Sequence, residues 1–183
     1  MMMTFLFSLL FSLNLLAANP VVVIETSSGE IEVELFQKEA PVTVANFLKH
    51  VDSKFYDGTI FHRVIDNFMI QGGGFTPDMK EKPTIGTIKN EADNGLKNMK
   101  GTIAMARTPD PHSASVQFFI NVADNNFLDH KDKTNQGYGY AVFGKVVSGI
   151  FILDRIKSVK TGTIAGHSDV PMDKVVIKSI KRK

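Results

Sequence analysis

The chain has 183 residues, 43% hydrophobic and 22% charged, a balance that suits one soluble globular domain and requires no second. Its formal net charge is only +2, and apart from the tail Lys178, Lys181, Arg182 and Lys183 the lysines are interleaved with acids, so no nucleic-acid footprint is indicated. The absence of cysteine excludes disulfides, thiolate metal ligands and a cysteine nucleophile.

Residues 1–18 carry no charged side chain, and Phe5 to Leu16 form an apolar run broken by Ser8, Ser12 and Asn14. A bilayer span takes roughly 20 apolar residues, so this run reads as a secretory signal, with Ala17 and Ala18 at the cleavage point. Cleavage would leave a domain of residues 19–183 beginning at Asn19-Pro20, with no stable membrane insertion. Next, Val21 to Thr26 and Glu30 to Leu35 flank Ser27-Ser28-Gly29, a hairpin signal. In its second strand Ile31, Val33 and Leu35 alternate with glutamates, the pattern of an antiparallel sheet wetted on one side. Pro41 to Val51 changes to helical period, with Val44, Phe47, Leu48 and Val51 on one side.

The stretch from Phe61 to Gly74 mixes strand periodicity with side chains that a plain strand has no need for. Alternation predicts Phe61, Arg63 and Ile65 on one face and His62 and Val64 on the other, with His62 a hydrogen-bonded core histidine. After the turn-prone Asp66-Asn67, Met69 and Gln71 share a face opposite Ile70. Arginine and glutamine among large apolar groups suit a pocket that holds something greasy while donating hydrogen bonds to it. Gly72-Gly73-Gly74 lacks the lysine of a phosphate loop, and close backbone packing or unusual dihedrals explain it better. Thr76 to Lys100 reads as a long, partly structured loop. Strand-length runs follow at Gly101 to Arg107, Val116 to Asn121 and Ala141 to Val146, then a short helix over Gly149 to Ile156 and a closing strand from Val175 to Ile180. Seven or eight short strands and two helices predict a mainly β, closed antiparallel barrel.

Four ordered blocks resemble the cyclophilins: the Phe61 to Gly74 hairpin, Met105-Ala106-Arg107-Thr108, Gln117-Phe118-Phe119-Ile120, and Phe127-Leu128-Asp129 followed by Val142-Phe143-Gly144-Lys145-Val146. Lys89 to Leu96 and Asn121 to Asn125 resemble the bacterial branch, whose exported members carry a leader, which implies a periplasmic location. The resemblance implies an eight-stranded barrel capped by two helices, peptidyl-prolyl cis-trans isomerase activity in protein folding, and no cofactor or metal. Its partners would be proline-containing unfolded or flexible polypeptides, met by a monomer. Arg63 and Gln71 are the expected catalytic residues; Phe68, Met69, Ala106, Arg107, Gln117, Phe119, Phe127, Leu128 and Tyr140 are expected to bind substrate. Phe68 and Met69 are strand neighbours, so the chain must bend for both to reach one pocket.

Arg107 stands where other branches have asparagine, and Val116 where serine often precedes Gln-Phe-Phe. Phe127 and Tyr140 replace the tryptophan and histidine of drug-sensitive members, and the lost indole N–H predicts weak cyclosporin binding. The alternative reading is a non-catalytic proline-peptide binder or holdase using the same groove. An apolar-ligand carrier would need a wide lumen, and a hydrolase would need a Gly-x-Ser-x-Gly elbow, which is absent. His130-x-Asp132 and Asp110-x-His112 lie in polar loops and read as solvated side chains.

Overall fold

Val21–Thr26 (β1) and Gly29–Leu35 (β2) form the expected hairpin, and β2 buries Ile31, Val33 and Leu35. The computed structural model describes residues 18–183; all but Ala18 of the expected leader lies outside the described residues. Pro41–Asp52 (α1) is followed by Thr59–Ile65 (β3), Met69–Phe75 (β4), Thr102–Met105 (β5), Phe118–Asn121 (β6) and Val142–Ser148 (β7). Ile150–Lys157 (α2) leads to Thr161–Ile164 (β8) and His167–Pro171 (β9), and Val175–Arg182 (β10) ends the fold.

Eight strands close an antiparallel barrel in the order β1-β10-β3-β4-β6-β5-β7-β2, while β8 and β9 form a separate two-stranded sheet. Phe118 and Phe143 meet Phe47 of α1 inside it, with Phe47 edge-on to Phe118 at 5.6 Å and tilted on Phe143 at 5.2 Å, and Phe61 meets Phe118 edge-on at 6.0 Å. Aromatic rings therefore fill the interior, which leaves no lumen for a carried ligand. Ile152, Leu153 and Ile156 of α2 join the same core. The β8–β9 hairpin is an element that hydrophobic periodicity did not reveal.

The start of α1 is held from a distance. Its N-cap, Ala40, makes no side-chain hydrogen bond, and the first turn contains no acid. Instead Glu91, in the long loop, accepts from the Val42 N–H at 3.1 Å, the Thr43 N–H at 2.8 Å and the Thr43 hydroxyl at 2.7 Å. Its carboxylate satisfies helix donors that would otherwise be orphaned and faces the positive end of the helix dipole. Replacing Glu91 with alanine should lower unfolding free energy by about 0.5–2 kcal/mol, measured by urea denaturation at neutral pH.

Candidate active site

The barrel register lines up four residues in one cross-strand row. Arg63 pairs with Gln71, Gln71 with Phe119, and Phe119 with Ala104, across β3, β4, β6 and β5. Residues opposite one another on neighbouring strands lie about 5 Å apart, so this row sets a cation, an amide and an aromatic ring side by side. Phe119 belongs to an outer apolar cluster with Met69, Ala104 and Val142, whereas Phe118 and Ile120 face the barrel core.

The parity expected for β3 needs correction. Between Phe61 and Arg63 the chain advances two residues while β4 advances one, from Gly72 to Gln71, so His62 is unmatched. This bulge puts Phe61 and Val64 together in the core. His62 consequently lies outside the barrel core, its ring 4.5 Å from that of Phe75, and its Nδ1 has no hydrogen-bond partner among the described residues. Burial, and then the charges of His167 and Arg63, hold His62 down at about pKa 4.

The glycine run makes the compensating irregularity possible. β4 advances from Phe75 to Gly72 while β3 moves one residue, and Gly73 adopts φ +87°. At Gly74 a Cβ would stand 2.5 Å from Cγ of Gln117, so only glycine leaves space for that side chain. Gln117 then accepts from Nε2 of Gln71 at 3.0 Å and donates from its own Nε2 to Glu81 at 3.1 Å. A carboxylate only accepts, so Glu81 fixes the amide orientation of Gln117 and, through it, that of Gln71. Gln71 keeps its Oε1 and one N–H for a ligand.

Phe68 and Met69 reach one pocket because Phe68 precedes the strand. Asn67 adopts φ +58°, the Phe68 N–H donates to the Ile65 carbonyl at 3.2 Å, and β4 begins at Met69. The Phe68 carbonyl accepts from Val122 N–H and from Nδ2 of Asn125. A buried polar chain continues from Asn125 to Asn121, from Asn121 to Asn98, and from Asn98 to Asp129, which follows Leu128. The two rims of the groove are thus tied together beneath the surface. At the rim Phe127 is 63% exposed, with its ring 5.6 Å from that of Phe68.

Arg107 acquires a definite structural place. Its Nε donates to the Gly139 carbonyl, Nη1 to those of Thr108 and Pro109, and Nη2 to that of Asn135. Its guanidinium also covers the Tyr140 ring at 4.6 Å, and Tyr140 meets Phe119 edge-on at 5.6 Å. Arg107 therefore fastens two loops that wall the groove.

Arg63, Phe68, Met69, Gln71, Ala106, Arg107, Phe119, Leu128 and Tyr140 surround one cavity. Gln117 lines an adjoining space that shares Gln71, Ala106 and Arg107 with the first. Phe127 lines neither and stands at the edge, its ring tilted against that of Phe68. Two adjoining cavities, one where Phe68, Met69, Phe119 and Leu128 meet Arg63, Gln71 and Arg107 and one rimmed by Thr84, Thr108, Ser113 and Ser115, suit an extended peptide. Sequence reading missed Glu81, which has no local motif, and Asp169, whose carboxylate Oδ2 lies 3.7 Å from Nε of Arg63.

The family model for cyclophilin type peptidyl-prolyl cis-trans isomerases matches residues 21–182. The chain belongs to the cyclophilin family. It is 63% identical over 158 residues to a peptidyl-prolyl cis-trans isomerase of Streptomyces antibioticus, covering 86% of this chain and 95% of that one. With peptidyl-prolyl cis-trans isomerase B of Escherichia coli (strain K12) it shares 54% over 160 residues, covering 87% and 98%. A crystal structure of a Cryptosporidium parvum cyclophilin type isomerase matches with a TM-score of 0.74 at 27% identity, covering 90% of this chain and 98% of that one. That relative was also crystallised in the presence of the dipeptide Ala-Pro, and this structure matches with a TM-score of 0.73 at 28% identity, covering 89% and 98%. This cyclophilin is a peptidyl-prolyl cis-trans isomerase that binds proline-containing peptides and speeds rotation about X-Pro bonds during folding.

The buried His62 makes the fold acid-sensitive in a defined window. Its unfolded-state pKa of 6.5 falls to about 4 on folding, so from pH 6.5 downward the unfolded chain takes up a proton that the native state refuses. Stability should fall as pH falls, by about 2 kcal/mol between pH 7 and pH 5 from this group alone. A His62→Phe variant should show a flatter urea midpoint over that interval, and an unchanged pH slope would count against the assignment.

Proposed function

We propose that Arg63 catalyses the rotation by donating a hydrogen bond to the prolyl nitrogen of a twisted X-Pro amide. Rotation removes conjugation between that nitrogen and its carbonyl across a barrier of about 18–20 kcal/mol, so a donor aimed at the nitrogen binds the twisted amide better than the planar one. No bond is made or broken. A guanidinium stays charged at working pH and presents directed N–H groups, which an ammonium does not match. The observation that carries the reading is the Arg63–Gln71–Phe119 row, which sets the donor two strands from Phe119 and the apolar cluster that Phe119 forms with Met69, Ala104 and Val142.

In this reading Phe68, Met69, Phe119, Leu128 and Tyr140 seat the proline ring, and Gln71 and Gln117 hold the flanking backbone. The free N–H of Gln71 suits a peptide carbonyl and its Oε1 a peptide N–H. Ala106 supplies backbone to the groove wall, and the Arg107 side chain holds that wall in place. The enzyme acts as a monomer on flexible segments, without a cofactor. Cyclosporin binds weakly, because Phe127 offers a ring and no N–H at the rim.

NMR exchange spectroscopy on an Ala-Pro-Phe peptide tests the mechanism. Arg63→Ala should slow catalysed exchange by about two to three decades, equivalent to about 2.7–4 kcal/mol of lost donor stabilisation, while peptide binding persists. Unchanged exchange would remove Arg63 from the mechanism, and lost binding would make it a binding residue instead.

The uncharged leader and the Ala17-Ala18 pair support export to the periplasm, with residues 19–183 as the working domain. N-terminal sequencing of protein from the periplasmic fraction should begin at Asn19. Recovery of the chain in the cytosol with Met1 intact would reject that location.

A further inference from the structure

We propose that Asp169 is a positioning residue for the catalytic guanidinium: the β8–β9 hairpin carries its carboxylate to Arg63 and fixes where that cation stands over the groove. The proposal rests on the reading of Arg63 as the donor to the prolyl nitrogen.

Three independent features place the carboxylate there. In the hairpin Gly162 pairs with Val170 and Ile164 with His167, so Thr163 alone faces both Ser168 and Asp169. This is a bulge, a device that turns a side chain out of strand alternation, and it leaves Asp169 at φ +61°. Aspartate tolerates that left-handed conformation better than most residues.

Second, the hairpin is seated firmly beside Arg63. Val170 packs with Ile60, Phe75 and Met79 in a small core of its own. The His167 ring meets Phe75 edge-on at 5.2 Å, and Phe75 in turn covers His62, the neighbour of Arg63. Asp169 therefore projects from a backbone anchored to β3 rather than from a free loop.

Third, Arg63 has little else to hold it. Among the described residues Asp169 is the one carboxylate within ion-pair reach, and no side-chain hydrogen bond involves the Arg63 guanidinium. Arg107 is held by four carbonyls, whereas Arg63 is 43% exposed and has, among the described residues, only the Asp169 carboxylate to offset the rotamer freedom of its long side chain. The contact is a single approach of 3.7 Å to Nε, not a bidentate clamp. It orients the side chain from one edge and leaves other N–H groups for the amide. A carboxylate held closer would place more negative charge against the field that the reaction needs, so the long contact favours orientation over neutralisation.

Asp169→Asn and Asp169→Gly both accept φ +61° and remove the charge, which separates the carboxylate from the hairpin backbone. In exchange spectroscopy at saturating Ala-Pro-Phe peptide, each should lower the maximal rate by about two- to fivefold, the range of a half-exposed ion pair, with peptide Kd unchanged. In the Arg63→Ala background, read at high enzyme concentration, the same substitutions should have no further effect. A maximal rate equal to or above that of the parent overturns the proposal, because neutralisation would then match or outweigh orientation. An equal drop in the Arg63→Ala background also overturns it, since the effect would be structural. If Arg63→Ala alone exchanges at full rate, the underlying mechanism fails together with the proposal. If Arg63→Ala is slow and both Asp169 variants are normal, only the proposal fails. Amide spectra that match the parent outside β8–β9 certify the fold in each case.

Discussion

Between Phe61 and Arg63 strand β3 advances by two residues while β4 advances by one, and the unmatched His62 resets the alternation of every side chain beyond it. Phe61 and Val64, three positions apart, can therefore both enter the core. His62 and Arg63, adjacent in sequence, are both left outside it. Without the slip Arg63 would share the face of Phe61, and a guanidinium would have to be desolvated among phenylalanines at a cost of several kcal/mol. The bulge thus sets the row that runs from Arg63 through Gln71 to Phe119, and the glycines of β4 supply the matching slack.

Turning two neighbours outward creates opposite demands on one patch of sheet. His62 is apolar in its surroundings and needs cover; Arg63, in the role proposed for it, must stay open to a ligand. The β8–β9 hairpin meets both demands by packing Val170 and His167 around Phe75 while extending only a carboxylate toward Arg63. Cover keeps His62 neutral well below its ordinary pKa. In the proposed mechanism that matters electrostatically, because a second cation at position 62 would compete with Arg63 for Asp169 and for the electron pair of a twisted amide. The same packing that shields the histidine therefore protects the role assigned to the arginine.

The closed barrel was legible because most of its strands and both helices obey a simple period. Ile31, Val33 and Leu35 alternate with glutamates, Phe118 and Ile120 alternate with Gln117 and Phe119, and Val44, Phe47, Leu48 and Val51 follow helical spacing. Candidate site residues on regular strands could accordingly be assigned to faces. The β3 bulge was hidden, since Phe61, Arg63 and Ile65 alternate in sequence as smoothly as in a regular strand; the only trace was the glycine run of its partner. The β8–β9 hairpin was hidden for another reason. Its turn residues Ala165 and Gly166 both adopt positive φ, 51° and 81°, and alanine masks a turn that Asn-Gly would have announced. Glu81 and Glu91 act on residues 36 and 48 or 49 positions away, respectively, and no local pattern encodes such reach.

Closure also constrains how this enzyme can hold a peptide. Many proteins capture extended chains by adding them to a sheet edge, where backbone hydrogen bonds supply affinity without regard to sequence. Here β1 pairs with both β2 and β10, and the circuit leaves no unpaired edge along the barrel. In the binding mode proposed above, a substrate is instead held by a recess for one side chain and by a few oriented polar groups around it. That arrangement leaves the flanking peptide planes free to turn, as rotation about the X-Pro bond requires, whereas a strand bonded along its length would resist the turn. The rigidity is placed in the enzyme, in the Gln71–Gln117–Glu81 relay and in the asparagine chain beneath Phe68, so that the amide alone has to move.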